Sequence, residues 1–183
     1  MASTYANPTP LGLVSFGLTT VLLSFANAGL LPNEAAILAM AFFLGGISQT
    51  IAGIMEFFRG NTFGCSAFVA FGAFWLSLFG LTVFPVLGWS KTESLPLLGA
   101  WIGLWGLYAF LLLLAIFKGG RILTFVFVTL VIVFFSLSAY YFTSNAAILT
   151  FAGYLGIICG GSAVYLGAAI ALDETAGKKI LPY

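Results

Sequence analysis

An all-α, polytopic membrane protein, a six-transmembrane-helix bundle with both termini cytoplasmic, is the fold class that this 183-residue sequence predicts. Three observations carry that expectation. Hydrophobic residues make up 62% of the chain and charged residues only 6%, against roughly a quarter charged in a soluble domain. The few charges leave uncharged windows that hold the ~20 apolar residues a spanning helix needs. The apolar runs are continuous, whereas a membrane β-barrel alternates polar and apolar residues over segments of about ten.

The first window, Met1 to Asn33, predicts a span over Leu11 to Leu31. It lacks a basic n-region and is long for a signal-peptide core, so this span is expected to stay in the mature protein. Ala35 to Met55 is the next window, and a span over Ala35 to Phe58 follows from it. Gly60 to Ser90 predicts Ser66 to Leu87, and Ser94 to Phe117 predicts Leu97 to Phe117. The last window, Ile122 to Leu172, is long enough for two helices and is broken by Thr143, Ser144 and Asn145. It therefore predicts Ile122 to Phe142 and Ala146 to Leu172. Short connections leave one transmembrane domain, 1–183.

Orientation follows from the cations. With the N-terminus inside, Arg59, Lys118, Arg121, Lys178 and Lys179 are cytoplasmic and only Lys91 is outside, as the positive-inside rule requires. Trp89, Tyr140 and Tyr141 then sit at the outer interface, where aromatic belts form. Short termini and this bias fit the plasma (inner) membrane of a prokaryote, with the lipid bilayer as the surrounding partner.

Composition also excludes functions. A net charge of +1 offers no basic field for nucleic acid. With no His and two Cys, Cys65 and Cys159, no zinc set, disulfide framework or His-based catalysis is expected. An enzyme, a metal site and a cofactor are accordingly not expected, and both cysteines read as packing residues.

The informative residues are polar ones at membrane depth, which must face a cavity or a partner. On the second span Phe42, Gly45, Gln49, Gly53 and Glu56 share one helical face at 100° per residue. Glu56 has two readings, a pair with Arg59 one turn on or a functional acid, and Gln49 either ties helices together or lines a path. At the start of the first span, Asn7-Pro8-Thr9-Pro10-Leu11-Gly12-Leu13 suits a helix start, with Asn7 or Thr9 as cap or with the free N–H groups as an anion site. Phe16, Thr20, Leu23 and Asn27 share a further face. Trp101, Trp105 and Tyr108 form an aromatic stripe that reads as structural. The pairs Gly99/Gly103 and Gly156/Gly160 favour close helix approach within the chain over an oligomer contact.

At this point the motifs resemble a known group. The heptapeptide from Asn7 to Leu13 is similar to the Asn-Pro-Ala-Pro-Leu-Gly-Leu signature of the acetate uptake transporter family, which includes bacterial succinate-acetate permeases. Gly60-Asn61-Thr62-Phe63-Gly64, Phe71-Gly72-Ala73-Phe74-Trp75, Gly103-Leu104-Trp105-Gly106 and Ile158-Cys159-Gly160-Gly161-Ser162-Ala163 follow in the family's order over nearly the whole chain. The resemblance implies a homo-hexamer of six-helix protomers, each with its own pore for small monocarboxylates, chiefly acetate and in some members succinate. It implies a constriction at Phe16, Phe71 and Leu130, and a bearing on succinate preference for Leu130 and Ala163. Two positions depart from the family: Ala70-Phe71 stands where Ser-Tyr is usual, losing two hydroxyls and making the neck more apolar. Thr9 replaces the motif's Ala, a small change by sequence.

A pore for acetate needs apolar width control and hydrogen-bond donors without a strong cation. Asn7, Thr20, Asn27 and Gln49 are the expected polar residues of the path, with Thr20, Gln49 and Asn27 as donors, and Phe16, Phe71 and Leu130 the apolar collar. Glu56, an acid inside a span, is the candidate for proton coupling, so an anion channel and a proton-coupled permease both stay open. The rival readings are a channel for neutral solutes such as urea, glycerol or water, and a non-transporting membrane sensor or scaffold. A single Asn-Pro motif weakens the first, since paired half-helices would need two.

Overall fold

In the computed structural model, which describes residues 5–117 and 119–183, six helices are long and apolar enough to cross a membrane. They are α1 (Thr9–Asn27), α2 (Ala35–Phe58), α3 (Thr62–Val86), α4 (Leu95–Ile116), α5 (Arg121–Thr143) and α6 (Ala146–Ala176). Lys118, one of the cations that set the expected orientation, lies outside the described residues.

Local chemistry sets the ends that hydropathy misplaces. α1 stops at Asn27 instead of Leu31 because Gly29 takes a left-handed φ of 74°, and the N–H groups of Leu30 and Leu31 close onto the Phe25 carbonyl. α3 begins at Thr62 rather than Ser66, since the Asn61 side chain accepts from Gly64 N–H at 3.0 Å and caps the first turn. α6 runs past Leu172 to Ala176, carrying Asp173 and Glu174 to the mouth of the bundle, and ends at Gly177 with φ 65°.

The helices follow one another around a ring, because each packs on its sequence neighbours and α6 returns to α1. The α1–α6 seam is the tightest: a Cβ at Gly160 would lie 2.6 Å from the Gly17 carbonyl oxygen, and one at Gly17 2.5 Å from that of Gly160. Gly156 is pressed against Ser24, while Gly99 and Gly103 receive Phe142 and Ser138 from α5. Both small-residue pairs thus serve packing within the chain. Between α3 and α4 the backbones stay further apart and rings fill the gap. Phe74 stacks on Trp101 at 5.3 Å, Phe71 meets Tyr108 at 6.0 Å, and the Tyr108 hydroxyl donates to the Ser66 carbonyl. The aromatic stripe of α4 is structural.

α2 is not uniform. Residues Ala41–Ser48 form a π-helical stretch, with ordinary α-helix before and after it. Phe42, half-buried at the start of this stretch, packs on Phe79 of α3 with 4.7 Å between centroids, on the helix that Gly45 and Gly53 also meet. Gly45, Gln49, Gly53 and Glu56 stay on the buried side. Both cysteines are free thiols; Cys159 is buried and donates to the Val126 carbonyl.

Candidate functional site

The ring encloses a cavity of about 120 Å³ that opens towards the end holding the start of α1. Its walls come from α1, α2, α3, α5 and α6, and Phe16, Gln49, Phe71 and Leu130 all line it. The three collar residues are brought together: Phe16 and Phe71 lie 6.0 Å apart between ring centroids, and Leu130 joins them in one buried cluster with Ala163. Phe71 is 2% exposed and touches rings on α1, α4 and α5. A phenylalanine there needs no hydrogen-bond partner, which fits a neck walled by hydrocarbon.

The polar residues divide by position. Asn7, Thr9, Glu56, Arg59, Gly60 and Asn61 line an open depression at the mouth. The Asn7 side chain accepts from the Thr9 N–H at 3.1 Å and donates to Glu174 at 2.6 Å, so it ties the first residue of α1 to α6, while the N-cap itself is Pro8 and carries no side-chain cap. Gln49 is two helical turns deeper than Glu56 on the same helix, at the collar. Thr20 donates its hydroxyl proton to the Phe16 carbonyl at 2.7 Å, so the donor expected of it is already committed to its own helix. Asn27 stands at the far end of α1, where Gly153 of α6 abuts its backbone; neither it nor Thr20 lines the cavity.

Glu56 is fully buried, and its partner is not Arg59. Its carboxylate accepts from the Thr9 hydroxyl and from Asn61 Nδ2, the latter at 2.9 Å, while the Arg59 guanidinium turns to Asn7 Oδ1. The reason is direction: Glu56 sits on the inward stripe, and the segments arriving from α1 and α3 bring hydroxyl and amide donors to it. Sequence had treated Thr9 as a small change from alanine and had left Asn61 unassigned. Asn61 carried a readable signal, a capping residue three before Gly64; the Thr9 contact spans 47 residues and carried none.

This cluster ties the ends of α1, α2 and α3 across the mouth. In Glu56→Gln the amide can keep its oxygen on Asn61 Nδ2 and turn its NH2 to the Thr9 hydroxyl, which then accepts where it had donated, so two hydrogen bonds to a carboxylate become neutral ones. We expect a loss of about 1 kcal/mol, the difference between hydrogen bonds to a charged and to a neutral acceptor. Thermal unfolding in detergent checks it: a midpoint equal to that of the parent would show that the cluster holds nothing.

Gln49 is 1% exposed, and neither Oε1 nor Nε2 has a hydrogen-bond partner in the protein. A buried polar atom left unpaired costs on the order of 1–3 kcal/mol. Two other buried atoms share this state, Ser15 Oγ and Trp75 Nε1. The Trp75 pyrrole edge lies against Gly45, one turn from Gln49. Among the described residues no group of His, Cys, Asp and Glu is placed to hold a metal ion.

Known proteins share this architecture. Residues 1–181 match the model of the GPR1/FUN34/yaaH family. The succinate-acetate/proton symporter SatP of Escherichia coli (strain K12) is 44% identical over 177 residues, covering 97% of this chain and 94% of that protein. The ammonia transport outward protein 2 of Saccharomyces cerevisiae (strain S288c) is 37% identical over 189 residues, 98% of this chain and 66% of the yeast protein. Among solved structures, the bacterial acetate channel SatP aligns with a TM-score of 0.96 at 44% identity, covering 98% of this chain and 99% of that one.

Proposed function

The chain belongs to the GPR1/FUN34/yaaH family, and from that premise we propose that it transports small monocarboxylates, chiefly acetate, through a pore within each protomer. One observation carries the reading: a polar depression at Asn7, Glu56 and Arg59 shares Thr9 and Asn61 with a cavity that reaches an apolar collar at Phe16, Phe71 and Leu130, where Gln49 also lines the wall. Apolar walls control width, and inside the mouth, where Arg59 stands, the cavity wall holds no Lys or Arg to trap an anion. Weak binding and rapid passage follow. The two names given to SatP, a succinate-acetate/proton symporter and an acetate channel, share acetate and differ on the proton, while the yeast relative is named for ammonia.

The mouth faces the cytoplasm in this reading, by the distribution of Lys and Arg. Exposed apolar side chains on the outer faces, such as Phe43, Ile51 and Leu111, meet lipid or the neighbouring protomers of a homo-hexamer. Glu56 is the acid that a protein-borne proton would use, although its two hydrogen bonds favour an anchoring role. Proton-linked uptake that survives Glu56→Gln assigns the proton to another carrier, and its loss with folding intact assigns it to Glu56.

The test is uptake of labelled acetate by vesicles holding the purified protein, with protein-free vesicles as the baseline. We expect formate and propionate to compete and urea and ammonium not to. Competition by urea or ammonium alone would replace the reading with a neutral-solute channel, and no uptake above baseline would favour a sensor or scaffold.

A further inference from the structure

We infer that Glu174 is a positioning residue of the mouth: it orients the Asn7 amide and, through it, holds the Arg59 guanidinium at the rim, where an arriving anion first meets the charge of the chain. The inference rests on the proposed transport of monocarboxylates and deepens it by naming what governs entry.

Asn7 stands between two opposite charges. Its Oδ1 accepts from the Arg59 guanidinium and from the Thr9 N–H, and its Nδ2 donates to Glu174 Oε1 at 2.6 Å. The amide has one orientation in that setting. Turned end for end, its NH2 would face the N–H groups of Thr9 and Arg59, and its oxygen would face a carboxylate. The bond from the NH2 to Glu174 is charge-assisted and stronger than one to a neutral acceptor. Arg59 therefore finds its acceptor at a fixed place, and Glu174 sets that place from the far side of the amide.

A turn of helix that hydropathy does not predict carries Glu174 there. α6 continues past Leu172 to Ala176, and the chain reverses at Gly177, with φ 65°. The returning segment is tied back to α6: the Ile180 N–H donates to Asp173 Oδ1 at 2.6 Å, and the Tyr165 hydroxyl donates to the Pro182 carbonyl at 2.8 Å. The neighbouring acids thus have separate tasks. Asp173 anchors the segment that follows the helix, while Glu174, about 100° further round, reaches the start of α1.

Charge gives the arrangement its consequence. Among the described residues, Arg59 is the one cation lining the mouth depression, which shares Thr9 and Asn61 with the cavity. The other charged groups at this end are engaged or stand apart. Glu56 accepts from Thr9 and Asn61, Lys178 and Lys179 follow the end of α6 with Lys179 4.9 Å from the Tyr183 ring, and Arg121 lines a separate depression with Pro182 and Tyr183. A small carboxylic acid at neutral pH is an anion, so its approach depends on where Arg59 points and how far its field reaches. That reach is the Debye length, ~10 Å at 0.1 M salt and ~3 Å at 1 M.

The experiment is exchange of labelled acetate, at the same low concentration on both sides of vesicles holding the full chain, so that the orientation of the protein does not matter. Protein-free vesicles are subtracted. Glu174→Gln keeps an acceptor for Asn7 and Glu174→Ala removes it, while both lose the same charge. At low ionic strength Glu174→Ala should exchange about threefold more slowly than Glu174→Gln, and in about 1 M sodium chloride the two should be equal. With Arg59→Gln added to each, the difference should also disappear, since Glu174 acts through Arg59. Equal rates at low ionic strength, a difference that survives high salt, or a difference that survives Arg59→Gln overturns the inference while the transport reading stands. No exchange above baseline by the parent protein overturns both. If the Arg59 variants do not fold, the salt dependence of the Glu174 pair decides alone.

Discussion

Gly160→Ala will lower the thermal unfolding midpoint by several degrees, while Gly161→Ala, one residue on, will leave it unchanged or raise it. Both changes add the same methyl group to the same helix, and each gains up to about 1 kcal/mol of helix propensity. They differ in what the methyl meets. At Gly160 it would stand 2.6 Å from the Gly17 carbonyl oxygen and 3.0 Å from the Val21 nitrogen, backbone atoms that move only if α1 moves; at Gly161 nothing lies within 4 Å. Overpacking of this kind costs about 1–3 kcal/mol and sometimes more. Since α1 carries Phe16 and the Asn7–Thr9 mouth, a shifted α1 should cost acetate uptake as well. Equal midpoints for the two variants, measured side by side in detergent, would contradict the α1–α6 packing described above.

Leu130→Ala will widen the collar and admit larger acids. Leu130 is buried, lines the cavity and belongs to the same cluster as Phe16 and Phe71. Removing its three terminal carbons extends an existing cavity, so the stability loss should fall near the low end of the 2–5 kcal/mol usual for Leu→Ala. Uptake of succinate relative to acetate should rise about tenfold, a change in barrier of ~1.4 kcal/mol. An unchanged ratio in a folded variant would remove Leu130 from the constriction.

The six helices were legible in the sequence because lipid imposes one coarse requirement, continuous apolar length, and eleven charges marked the gaps. The ends of α1 and α3 were less so: hydropathy is blind to Gly29 and Asn61, which act through backbone geometry and a capping oxygen. Phe16, Phe71 and Leu130 came from motif resemblance, and the ring of helices then brought them to one cavity. The π-helical stretch left no periodic signal, since it is itself a break in the period. Glu56 was visible as a buried acid, but its partners come from Thr9 and Asn61 on other helices. Gln49 was visible as a polar residue at depth; that its amide is left unpaired emerged only once the neighbouring helices were in place.

Leu130→Trp tests the central claim, a monocarboxylate path through the protomer's own collar, most directly. Labelled-acetate uptake should be protein-dependent in the parent and fall to the protein-free baseline in this variant, with helical content and particle size in detergent unchanged. Full acetate uptake by a correctly folded Leu130→Trp protein would contradict the account, because the solute would then be crossing by a route that does not pass between Phe16, Phe71 and Leu130.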